Sequence, residues 1–171
     1  KVDNDVNVIT LGEMWKGAAQ GYKNVLGLAV GTGIGGGIIV DGKLVSGEHG
    51  AGGEVGHIKI EPNGKLCGCG QKGCWEAYAS ATGIIREAKS RLAVNKQNLL
   101  YEMTKGRDLE AKDVFDAARK GDEFSIDIVD YEAEKLALGI GNLLSILDPE
   151  IVVVGGGVAL AGDFLFDRVK E

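Results

Sequence analysis

No run of about 18 apolar residues occurs in the 171-residue chain, so no membrane-spanning helix is expected. No apolar signal region is expected either. The chain opens Lys-Val-Asp-Asn-Asp, without a methionine, and nothing marks it for secretion. A basic patch is also missing: 19 Lys and Arg against 25 Asp and Glu give a net charge of -6, with both signs mixed along the chain. That balance argues against a non-specific nucleic-acid surface. Cysteine is scarce, with three residues, and an odd count leaves a disulfide framework incomplete. A reducing, cytoplasmic setting fits better. Glycine is the opposite case, with 28 residues that follow no period and gather at 27–56, 64–73 and 155–157. With 44 % apolar residues, the chain can build one good core. It starts on a polar motif and stops at Glu171 inside a helical pattern, as expected for the middle and later part of a longer protein.

The three cysteines, Cys67, Cys69 and Cys74, lie within eight residues, and His57 stands ten residues before the first. Three thiolates and one imidazole make a complete tetrahedral set for zinc. Gly68, Gly70 and Gly73 relieve steric limits where several ligands must turn inward. Four protein ligands close the shell, so the metal would be structural and would tie down a loop with little core of its own. His57 gives the metal one ring nitrogen, and the other needs an orienting partner or a substrate hydroxyl. Glu54 and Glu76 flank the ligands. Either could bond a polyhydroxylated ligand, and either could equally be solvated surface. His49 has no such cluster around it and reads as a loop histidine.

Along the chain, residues 1–8 read as a strand end followed by a polar turn at Asn4, Asp5 and Asn7. A helix is expected from Ile9 to Gln20, with Leu11, Met14, Trp15 and Ala18 facing inward and Gly21 ending it. Val25–Val30 reads as a strand, Gly31–Gly37 as a glycine turn, Ile38–Val40 as a second strand, and Lys43–Val45 as its return after the Asp41-Gly42 turn. Another strand is expected over Val55–Ile60, then one helix from Trp75 or Glu76 to Leu92. A short helix around Leu99–Met103 follows, then a helix with Val114, Phe115 and Ala118 inward, and a long one over Glu123–Ile146. Asp148-Pro149 stops that helix before a buried β-branched strand, Ile151–Val154. Gly155-Gly156-Gly157 leads into a final helix over Ala159–Val169.

Two glycine segments are candidate anion sites. Gly31-Thr32-Gly33-Ile34-Gly35 can turn several backbone N–H groups to one concave side, and Thr32 adds a hydroxyl. The stretch is not a P-loop, since no Gly-Lys-Ser/Thr closes it, nor a dinucleotide fingerprint, since a hairpin follows where a helix should begin. Gly155–Gly157, between a strand and a helix, could hold a phosphate or the near side of a nucleotide, or serve only as a tight junction. Asp5 is the best isolated carboxylate for catalysis, although turn or helix-cap roles are the default for Asn4, Asp5 and Asn7.

The motifs Asn4-Asp5-Val6-Asn7, Gly31–Gly37, Glu54-Val55-Gly56-His57 with Cys67-Gly68-Cys69-Gly70-Gln71-Lys72-Gly73-Cys74-Trp75-Glu76, and Gly155–Gly157 together resemble the ROK family of sugar kinases, its bacterial glucokinases above all. The resemblance implies a partial α/β, actin-like ATPase (ribonuclease H-like) fold with a zinc-braced loop. It implies phosphorylation of the glucose 6-hydroxyl by ATP with magnesium, with Asp5 as the general base. Asn4, Asp5, Glu54, His57 and Glu76 fall on sugar-binding positions. Gly31, Thr32, Gly33 and Gly35 fall near the transferred phosphates, and Gly155, Gly156 and Gly157 on the adenosine side. The family's kinases also carry an N-terminal domain with another phosphate loop, not present in these residues, and they form homodimers. A ROK repressor with a sugar-sensing domain, and a kinase for fructose, mannose or an N-acetylhexosamine, are the alternatives.

Overall fold

The computed structural model describes residues 4–171. The expected strand end at residues 1–3 lies outside the described residues. From Asn4 onward the chain is already helical: α1 spans Asp5–Lys16. Asn4 caps it, its Oδ1 accepting the Val6 N–H at 2.9 Å, so of the turn or cap role expected at Asn4, Asp5 and Asn7, the cap is the one Asn4 takes. The earlier start also turns the inward face. Val6, Asn7 and Thr10 are buried, whereas Leu11 and Ala18 are exposed and Trp15 is 75 % exposed. Of the residues expected inside, Met14 alone packs inward, against Val25 and Ile39.

The reason lies in the surface that receives α1. Strands β1 (Val25–Val30) and β2 (Ile34–Val40) pair antiparallel, with Gly27 opposite Gly37. A Cβ on either glycine would overlap Thr10. Thr10 satisfies its own hydroxyl on the Val6 carbonyl at 2.8 Å, so it can pack flat on this bare patch of sheet. Glycine here is sheet rather than loop. β2 begins at Ile34 and includes Gly35–Gly37, which narrows the expected glycine turn to Gly31-Thr32-Gly33. The short β3 (Lys43–Leu44) and β4 (Ile151–Gly155) complete a mixed sheet in the order β3-β2-β1-β4, with β4 parallel to β1. Among the described residues β4 pairs only with β1, and it is half-buried along its length, not buried as its β-branched run suggested.

Between β3 and β4 come the metal-ligand loop and the helices. The strand expected over Val55–Ile60 is a 3-10 turn, Val55–His57, followed by a single bridge between Lys59 and Cys74. The helix expected from Glu76 to Leu92 is broken into α2 (Glu76–Ala79) and α3 (Ala81–Leu92). Ser80 makes the break: it is extended, and its Oγ accepts the Gly83 N–H at 3.1 Å to cap α3. α4 (Leu99–Thr104), α5 (Ala111–Arg119) and α6 (Glu123–Leu147) lie close to expectation. Buried Trp75 lies against Gly139 of α6, where a Cβ would overlap the indole, and its Nε1–H donates to the Lys135 carbonyl at 2.8 Å. After β4 the final helix is interrupted: a 3-10 turn, Val158–Ala161, precedes α7 (Asp163–Lys170). The main core gathers Leu26, Leu28 and Val30 of the sheet with Trp75, Ile84, Phe115, Ile128 and Leu136 of the helices. No described helix is long and apolar enough to cross a membrane.

Candidate active site and metal centre

The loop after the 3-10 turn folds back on itself through bridges at Lys59–Cys74 and Leu66–Lys72. This brings His57, Cys67, Cys69 and Cys74 together, with one ligand atom of each within 4.8 Å of all the others. Cys67 Sγ lies 3.7 Å from His57 Nδ1, and Cys69 Sγ lies 3.6 Å from Cys74 Sγ. Tetrahedral zinc with its usual bond lengths separates ligand atoms by about 3.5–3.8 Å, so the residues present fit the metal. Burial pushes the Cys67 thiol up to about 11, while the Gln71 backbone amide leads the effects that lower exposed Cys69. The Lys59 ammonium stands 2.9 Å from Cys74 Sγ.

Glu76, at the start of α2, ties this loop to the sheet. Its Oε2 accepts the Ile34 N–H at 3.0 Å, and its Oε1 is 3.8 Å from Cys67 Sγ. The Gly31–Gly33 turn is gripped from its other side as well. Ala81 N–H donates to the Gly31 carbonyl and Thr82 Oγ1 to the Thr32 carbonyl, both at 2.8 Å. The break at Ser80 therefore has a use, since it directs the start of α3 onto the turn.

An open cleft of about 370 Å³ is lined by Asp5, the Gly31–Gly33 turn, Gly35, Glu76 and Gly156. Segments far apart in sequence thus supply a carboxylate, a backbone turn and a second glycine junction to one space. Asp5 is exposed, and its Oδ1 accepts the Val6 N–H at 2.9 Å. Asn4, at the cap of α1, adjoins it. Glu54 is exposed just ahead of the 3-10 turn, and half-buried His57 closes that turn beside the cysteines. Neither lines this cleft.

The three C-terminal glycines diverge. Gly155 ends β4 opposite Ala29, Gly156 (φ 93) faces the cleft, and Gly157 lines a separate cavity of about 320 Å³ with Ala81, Phe115, Arg119 and Ala161. Sequence reasoning gives no sign of that cavity. Arg119 donates to the Ala161 carbonyl at 2.8 Å, and nothing in the amphipathic pattern of α5 separates a wall residue such as Phe115 from a core one. His49 is exposed in a turn, as expected.

A family model described as the ROK family matches residues 1–171. The chain is 47 % identical over 172 residues to a glucokinase of Halalkalibacterium halodurans, covering 99 % of this chain and 52 % of that protein. Among solved structures it is similar to a ROK family glucokinase from Streptomyces griseus in complex with glucose and AMPPNP. That match has 40 % identity and a TM-score of 0.91, covering 99 % of this chain and 55 % of the other. It is also similar to a ROK family transcriptional regulator, a homologue of the E. coli MLC protein. There the identity is 30 % and the TM-score 0.87, covering 99 % of this chain and 42 % of the other. The chain spans about half the length of the curated relatives it matches.

Proposed function

The chain belongs to the ROK family, and on that footing we propose that it is part of an ATP-dependent glucokinase, with Asp5 as the general base. The observation that carries this reading is the meeting of Asp5, the Gly31–Gly33 turn, Glu76 and Gly156 around one cleft. Asp5 has one oxygen engaged by the Val6 N–H, which leaves the other to accept the proton of a sugar 6-hydroxyl. As that proton leaves, the hydroxyl oxygen forms its bond to the γ-phosphorus of ATP and the bond to the ADP oxygen breaks. Gly31, Thr32, Gly33 and Gly35, which line the cleft, would border the transferred phosphate. Gly155, Gly156 and Gly157 lead to the cavity beside Phe115, which suits the adenosine part. Among the described residues no cationic side chain lines the cleft, so magnesium bound to the nucleotide would supply the neutralising charge.

Asn4, Glu54, His57 and Glu76 would hold the sugar hydroxyls. His57, Cys67, Cys69 and Cys74 would hold zinc, which when bound braces the loop without an open position for water. With Nδ1 beside Cys67, His57 keeps Nε2 for a hydroxyl. The chain would form the larger part of an actin-like ATPase (ribonuclease H-like) fold. In the parent protein it would be completed by an N-terminal domain with its own phosphate loop, in a cytoplasmic homodimer. The similarity to a transcriptional regulator favours a second reading, a sugar sensor, for which Asp5 would have no chemical use.

The test is a coupled assay of ADP release by the full-length parent with a panel of hexoses. Glucose should be the best acceptor, and Asp5→Asn should lower kcat by about 100-fold or more while sugar binding persists. Undiminished turnover in the variant would remove Asp5 from the mechanism.

A further inference from the structure

The loop that carries the cysteines has a second attachment, to helices α3 and α6. Lys65 stands two residues before Cys67, and its ammonium crosses to the helices. It lies 2.7 Å from Glu87 Oε2 on α3 and 3.2 Å from the Tyr131 hydroxyl on α6. It also sits 4.9 Å and 5.1 Å from the centroids of the Tyr78 and Tyr131 rings. The other Glu87 oxygen takes Arg91 at 2.9 Å. The next loop residue is held from the neighbouring helix residue: Arg86 donates to the Leu66 carbonyl at 3.1 Å. Two consecutive residues of the loop are therefore gripped by two consecutive residues of α3. The backbone of Lys65 is fixed as well, its N–H donating to the Tyr78 hydroxyl and its carbonyl accepting the Gly73 N–H at 2.9 Å.

Most surface ion pairs contribute little, because water solvates both partners. This one is shielded: the side chains of Lys65 and Glu87 are 27 % and 17 % exposed, and two aromatic rings flank the ammonium. Its position also matters. Cys67, immediately downstream, has its Sγ 3.7 Å from His57 Nδ1 and 3.8 Å from Glu76 Oε1. A shift at residues 65–66 would move an atom that adjoins both a proposed sugar ligand, His57, and the carboxylate shared with the cleft, Glu76.

We propose that Lys65, clasped by Glu87 and Tyr131, is a positioning residue that sets the register of the metal-ligand loop and through it the sugar-facing groups His57 and Glu76. It touches neither metal nor cleft. The sugar part rests on the kinase reading above; the metal part does not.

The experiment uses the full-length parent and three variants, Lys65→Met, Lys65→Arg and Glu87→Gln. Zinc transfer to a chromophoric chelator is followed in each, beside KM for glucose, KM for ATP and kcat. Lys65→Met keeps the apolar stem and loses the charge. It should speed zinc loss about tenfold or more, as loss of a group supporting metal ligands does. It should raise the glucose KM about tenfold, with ATP KM and kcat nearly unchanged. Glu87→Gln should shift both in the same direction, and Lys65→Arg should restore most of each. Wild-type zinc release in Lys65→Met would overturn the proposal. So would a fall in kcat with equal rises in both KM values and no rescue by arginine, which marks general loss of structure. A wild-type parent that holds zinc but phosphorylates no sugar overturns the kinase reading, and the zinc-release comparison still decides the role of Lys65.

Discussion

Gly33 and Gly31 sit in the same turn and answer different questions. A Cβ at Gly33 would overlap Glu76 Oε2, the atom that accepts the Ile34 N–H. Gly33→Ala must therefore displace Glu76, and kcat/KM of the parent should fall by more than about tenfold with some loss of stability. Around a Cβ at Gly31 nothing lies within 4 Å. Gly31→Ala should keep its melting temperature, yet raise the KM for ATP if the turn faces phosphate. Thermal unfolding beside steady-state kinetics separates the two. The sequence carries the identity of these glycines but not their partners, because a close approach depends on residues 43 positions away, as with Gly33 and Glu76. The four residues that gather into a potential metal cluster are legible from ligand type, number and density, since free thiols have no reason to sit so densely amid glycines. Asn4 and Asp5 read as a turn because the cap signal stands ahead of the residues where apolar periodicity begins.

At the scale of elements, the differences between expectation and structure share one cause: a pattern in sequence does not reveal the surface it packs on. α1 exposes Val8, Ile9, Leu11 and Trp15 and buries Thr10, because its partner is a glycine patch that accepts a small flat face. The α2–α3 break is hidden because Ser80 interrupts an otherwise continuous helical pattern, and its cap geometry exists only in three dimensions. Long elements such as α6 are legible because their apolar spacing is strong enough to outweigh local exceptions. For the metal loop, the informative substitution is Cys69→Ser. Cys69 is exposed, so its replacement leaves packing intact, whereas Cys74 is fully buried. Zinc affinity should fall by more than about tenfold, and chelation should then speed hydrogen exchange across residues 58–76. One tightly held zinc per chain in both proteins would exclude this ligand set.

For the whole molecule, Glu132 is a buried ionisable side chain whose titration bears on stability. It is 1 % exposed, and neither carboxylate oxygen has a hydrogen-bond partner among the described residues. Burial pushes its carboxyl well above the ordinary range, against a smaller opposing pull from Lys65. The folded state therefore holds a proton that the unfolded state gives up. Stability from this group is complete below the unfolded value of about 4.5 and is lost as pH rises toward the raised folded value. Glu132→Gln should match the wild type near pH 4 and exceed it increasingly above that, by about 1–3 kcal/mol at neutral pH and beyond. Denaturant unfolding from pH 4 to 9 measures the gap.

β1 and β4 are neighbours in the sheet, yet the register that pairs Val25 with Ile151 closes only after the metal-ligand loop and helices α2 to α6 have been laid down between β3 and the last strand. Contacts this distant in sequence are slow to form, because the chain loses loop entropy before it gains them. The side of the cleft bearing Gly156 thus comes into being last. During synthesis, the Asp5 end of the cleft is finished more than a hundred residues before its counterpart exists. A ligand that needs both walls can stabilise the folded chain but cannot guide its early folding.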